Sequence, residues 1–140
     1  MIQDIWNSGL FRWIIVEADG AAGRPLKVPA DHEPVIPAAT TVVVVVASLA
    51  AIGGRIVDVT HRPERVVALL GCGEDHVLEP DDLAVVLSHP RGGLWRVPDT
   101  ARVVVVLTGT GPPDAASNIR ARLGAESRID RVLAWDRTGP

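Results

Sequence analysis

Between two apolar runs, WIIV at 13–16 and TVVVVV at 41–46, the chain reads VEADGAAGRPLKVPADHEPVIP over residues 16–37. Glu17 and Asp19 set two carboxylates directly behind an apolar run. Mg²⁺ takes oxygen ligands and is usually held through one or two carboxylates with several waters, so this pair has the chemistry of a metal or water-orienting site in phosphoryl transfer. Lys27 adds a cation suited to a phosphate or another anionic group, and Asp31, His32 and Glu33 follow between Pro29 and Pro34. His32 offers an imidazole that fits a general base or a ligand. The same residues also fit plainer roles, since Asp-Gly is a common turn pair and Asp31-His32-Glu33 reads equally as a solvated turn. Length and stiffness favour a ligand. Connections this long inside a compact domain are usually functional or disordered. Pro25, Pro29, Pro34 and Pro37 preset φ and bias their predecessors toward extended backbone, which argues against disorder. If the connection serves a ligand rather than the fold, Asp19→Asn and Lys27→Ala should change stability by only about 0.5 kcal/mol, the usual size for a surface substitution.

Other groups are more scattered. Arg62 and Arg91 carry planar forks suited to a phosphate or to the anionic tail of a pterin. His61, Cys72, His76 and His89 do not have the paired spacing of a zinc site. Cys72 stands between Gly71 and Gly73 beside Glu74 and Asp75, with nothing cationic to activate a thiol, and reads as structural. Trp6 and Trp13 are expected to pack on the core, and Trp95 to be partly exposed beside Gly92–Gly93.

The elements that must position these groups follow from hydrophobic patterning. RWIIV (12–16), TVVVVV (41–46), ARVVVVL (101–107) and RVLAW (131–135) are short and rich in β-branched residues, without alternation, as in parallel strands covered on both faces. Helices are expected over 61–71, with an early proline and Gly71 as stop, over 79–90, opened by acids and closed before Pro90, and over 113–125, with Asp114 as N-cap and Gly124 after the end. Strands alternating with helices define an α/β fold, a mostly parallel sheet with helices in three layers. Such sheets bind ligands beyond the carboxyl ends of their strands, which is where Glu17 and Asp19 would fall.

At 140 residues and 47 % apolar, the sequence suits one domain, 1–140. A net charge of −3 without a basic stripe argues against nucleic acid. A single cysteine and an opening, MIQDIWNSGL, unlike a signal peptide point to the cytoplasm. The longest apolar run, TVVVVVASLAAIGG, is too short to cross a membrane, so no membrane partner is expected.

Taken together, the 16–37 run, the valine strand with Gly53–Gly54, HRPE (61–64), HPRGG (89–93) and VPDTARVVVVL (97–107) resemble the selenium-dependent hydroxylase accessory protein family of the YqeC type, from about Trp13 onward. The resemblance implies a P-loop-NTPase-like fold, a role in maturing selenium-dependent molybdenum hydroxylases, and a partner that is such a hydroxylase or another of its maturation factors. It implies ATP or GTP with Mg²⁺ in a full-length form, Glu17 and Asp19 belonging to the second acidic motif of the nucleotide site. Two departures qualify this. No G-x-x-x-x-G-K-[ST] loop is present, as if the first strand, phosphate loop and first helix were removed, and LTGTG at 107–111 stands where the family has an Asn-Lys-x-Asp-like segment. The chain is thus expected to be a truncated form, or one whose nucleotide site is lost or completed by another chain. A missing strand would leave a sheet edge that self-association could cover.

Overall fold

The valine runs form strands because β-branched side chains pack well on a pleated surface. The structure, a computed structural model, describes residues 1–135. In chain order its elements are helix α1 (Ile2–Asn7), strand β1 (Leu26–Lys27), strand β2 (Val42–Ser48), a 3₁₀ turn (Leu49–Ala51), helix α2 (Ile56–Val59), strand β3 (Thr60–His61), helices α3 (Pro63–Leu70) and α4 (Pro80–Ser88), strand β4 (Arg102–Thr108), helix α5 (Ala115–Leu123) and strand β5 (Arg131–Trp135). Two parallel sheets result, a pair β1-β3 and a trio in the order β2-β4-β5. With helices flanking parallel sheets, the chain has the open α/β arrangement expected.

Helix boundaries follow local chemistry. Pro63 opens α3 at a position where its missing N–H costs nothing, and Gly71, at φ +70°, ends it in the left-handed region. Glu79 and Asp82 form a capping box at the start of α4, whose Leu83, Ala84, Val86 and Leu87 are buried. Ala115, Ile119 and Leu123 recur every four residues and turn one face of α5 inward. Asp114 takes the N-cap position of α5 without a capping hydrogen bond from its side chain, and Gly124 follows the helix in a right-handed conformation.

One hydrophobic cluster joins these helices to one face of the larger sheet, through Ala47, Val105 and Leu107 with Val45 and Val132. Among the described residues nothing covers the opposite face. Val42, Val44, Val46, Leu133 and Trp135 are exposed there, so the expectation of burial on both faces is corrected for β2 and β5. The helices described supply cover on one side, and alternate residues of each strand point away from it.

Residues 12–16 are a second correction. They form no strand, and Trp13 and Ile15 are 83 % and 96 % exposed. A strand exists only where its backbone groups find a partner, and none is offered to this segment among the described residues; propensity alone does not substitute for pairing. Trp6 and Trp13 are likewise exposed rather than packed on the core. Cys72 packs against the core cluster. No helix is long and apolar enough to cross a membrane among the described residues.

Candidate functional site

The 17–37 connection does reach the carboxyl end of a strand, though through β2 rather than through residues 12–16. The backbone N–H of Ser48, the last residue of β2, donates to the carbonyl of Pro25 at 3.0 Å. The chain then runs beside β3, with Leu26 paired to Thr60 and Lys27 to His61, and buries Leu26, Val28 and Ala30. Alternation turns Lys27 away from its apolar neighbours.

Lys27 is nonetheless only 8 % exposed, because the rest of the connection folds over it. Its ammonium bonds to Asp19, donates to the carbonyl of Gly20 at 2.8 Å and lies 2.7 Å from Glu33 Oε2. Arg62 Nη1 donates to the same Oε2 at 2.8 Å. Asp19, Lys27, Glu33 and Arg62 thus form a chain of alternating charge. Beside it, Arg65 Nη1 and Arg91 Nη2 both donate to Asp31 Oδ1, at 3.1 and 3.2 Å, and the Arg91 guanidinium lies 5.0 Å over the Trp95 ring. Arg62 and Arg96 hold φ of +61° and +59°, a conformation uncommon for side-chain-bearing residues, and both reach the connection, at Glu33 and at the Asp31 carbonyl.

Of the residues singled out in the sequence, the fold therefore brings together Asp19, Lys27, Glu33 and Arg62, and separately Asp31 and Arg91. His32 stands on the rim, 79 % exposed, 3.7 Å from Glu33. Glu17 is exposed. Arg65 and Arg96 were not anticipated; neither has a distinguishing neighbour in the sequence, and only the folded connection brings them to Asp31. Among the described residues no group of three or more His, Cys, Asp or Glu stands close enough to share a metal ion. The Asp19 carboxylate already faces the Lys27 ammonium, and Mg²⁺ there would have to displace it. This arrangement does not fit a magnesium site.

Lys27 is not a surface residue, so the expectation that its loss leaves stability unchanged is revised. Glu33 gives the network a pH dependence. Its hydrogen bond from Lys27, joined by those from Arg62 and the Ala30 N–H and opposed by partial burial, lowers its carboxyl from an ordinary 4.5 to about 2. A depressed carboxyl contributes stability that is complete above about pH 4.5 and is lost as pH falls toward about 2. In thermal melts across this window, Glu33→Gln should flatten the acid limb, its melting temperature falling less steeply than that of the unaltered chain. Parallel profiles would remove Glu33 from the account.

A second feature lies at the carboxyl edge of the larger sheet. A cleft of about 430 Å³ opens there, lined by Leu49, Leu107, the Gly109–Gly111 segment, Ser117, Arg120 and Trp135. Its place and size suit a small ligand in a parallel α/β fold.

The fold and these features define an open α/β module with a charge-braced connection at the carboxyl end of its sheet. A family model described as YqeC protein matches residues 1–64, a span that holds the whole connection, β2 and Arg62. The chain is also 35 % identical over 92 residues, 65 % of its length, to a curated protein of Escherichia coli (strain K12) described as uncharacterized protein YqeC. Over these spans the chain is similar to proteins of the YqeC type. The chain spans about a third, 36 %, of the length of that relative. No solved structure matches it.

Proposed function

We propose that this chain is the ligand- or client-binding module of an accessory factor for the maturation of selenium-dependent molybdenum hydroxylases. The observation that carries this reading is the buried ammonium of Lys27, which ties Asp19, Gly20 and Glu33 into one ordered platform. A connection braced by its own charges presents a fixed rim, and a fixed rim loses little entropy on binding. Glu17 and His32 stand on that rim, open to a partner.

The test uses the full-length protein in cells that depend on it for an active hydroxylase. Glu17→Gln and His32→Ala, both at exposed positions, should leave the melting temperature unchanged and lower hydroxylase activity in the lysate at least tenfold. Full activity in both variants would defeat the reading.

The cleft favours a second reading. It lies where a doubly wound fold holds a nucleotide, and the alternative is an Mg²⁺-dependent NTPase whose phosphate loop comes from sequence outside this chain or from a partner. Calorimetric titration with ATP and GTP separates the two: micromolar binding by the full-length protein, with millimolar or no binding by this chain, supports the NTPase, and no binding by either supports the module.

A further inference from the structure

Arg65 and Arg91 come from different parts of the chain, α3 and the turn after α4, yet both aim at one oxygen of Asp31. Next to them is a hollow of about 210 Å³, lined by Val28, Arg65, Ala68, Leu69, His89 and Arg91. Among the described residues, Arg65 uses only Nη1 in hydrogen bonds and Arg91 only Nη2, so most of each guanidinium fork is unused. The backbone N–H of Arg91 donates to His89 Nδ1, which leaves Nε2 as the proton-bearing nitrogen of a neutral His89 ring. Two forks, an imidazole N–H and an apolar wall thus border one hollow.

Asp31 is the odd member. Its side chain is exposed, and it reaches the arginines from the rim of the connection. We propose that the hollow binds a phosphate monoester and that Asp31 occupies its anion position until such a ligand displaces it. The proposal rests on reading the 17–37 connection as a platform for a ligand, and it names the ligand's class.

Competition decides between ligand anions. A free carboxylate offers the arginines the same charge as Asp31, which is tethered at an effective concentration in the millimolar range, and gains nothing by replacing it. A phosphate monoester carries a charge of about −1.5 to −2 at pH 7 with three acceptor oxygens, enough to engage both forks at once. Its first carbons would lie on Val28, Ala68 and Leu69. The Arg65 hydrogen bond, then the charges of Arg65 and Arg91, also lower the Asp31 carboxyl, so it is an anion at the neutral pH of the competition.

The experiment is a titration of the purified chain with inorganic phosphate at constant ionic strength, followed through the amide resonances of residues 65, 68, 69, 89 and 91, with acetate as the carboxylate control. The unaltered chain should respond to phosphate in the millimolar range and not to acetate. Asp31→Asn, which removes the competing charge, should tighten phosphate binding about fivefold. Arg91→Gln, at a position 63 % exposed and therefore expected to fold, should weaken it at least tenfold. Unchanged or weaker binding by Asp31→Asn, equal binding by Arg91→Gln, or an equal response to acetate would each overturn the proposal. Because binding is read on the purified chain, a failure here is distinct from a failure of the maturation assay.

Discussion

Lys27→Ala should lower stability by about 3 kcal/mol, the low end of the range for removing one partner of a buried ion pair. The cost arises from what remains, since Asp19 loses its ammonium partner and Glu33 keeps only Arg62, both carboxylates being mostly covered. For a domain of this size the melting temperature should fall by roughly 10 °C. Lys27→Met, which keeps the aliphatic stem, should restore little. Combining it with Asp19→Asn should recover most of the loss, because the stranded charge is then gone while Glu33 keeps Arg62. Melts of the four proteins by circular dichroism check this, and a Lys27→Ala chain that melts with the unaltered one would mean that water, not lysine, neutralises the two carboxylates.

Gly93→Ala should be as damaging for a different reason. An added Cβ at Gly93 would lie 2.2 Å from the Leu87 carbonyl oxygen and 2.9 Å from two further backbone atoms of Leu87, and one at Gly92 would lie 2.1 Å from the Val86 oxygen. These are atoms of the last turn of α4, and the Gly93 N–H itself donates to Val86 at 2.9 Å. A methyl group here must push a buried helix end away from its neighbours, at a cost of about 3 kcal/mol, the upper part of the usual range for overpacking. Gly71→Ala is the contrast. Among the described residues nothing lies within 4 Å of its added Cβ, and the substitution should cost only the left-handed backbone penalty of about 1 kcal/mol. Denaturant midpoints of the two variants compare close approach with conformation directly; equal losses would show that α4 gives way.

The glycine pair also indicates what kind of information the sequence carries. HPRGG stands out in the chain, but its spacing does not reveal that the two glycines exist to let one backbone touch another. β2, β4, β5 and the three longer helices were legible because β-branched runs and capping residues are local signals. The 12–16 segment misled because RWIIV has every local mark of a strand, and pairing is not a local property. The site was half legible. Proline spacing marked the connection as ordered, whereas the covering of Lys27 depends on the connection folding back over the face opposite the buried Leu26 and Val28. Arg65 and Arg96 were invisible, since an arginine's partner is set by which loop folds across it. The cleft beside Gly109–Gly111 was equally hidden, because its walls come from the turn after β2, the ends of β4 and β5, and helix α5.

The parallel pairing of β2 with β4 has a consequence during synthesis. Ser48 and Thr108 are hydrogen-bonded across a separation of 60 residues. At translation rates of about 5–20 residues per second, the valine strand emerges from the ribosome roughly 3–12 s before the segment it must pair with. For that interval VVVVVAS is an uncharged, strongly β-forming peptide without a partner, the composition that self-associates most readily. Slowing translation between codons 48 and 102 should therefore lower the yield of folded protein, and a chaperone that holds nascent apolar segments should restore it.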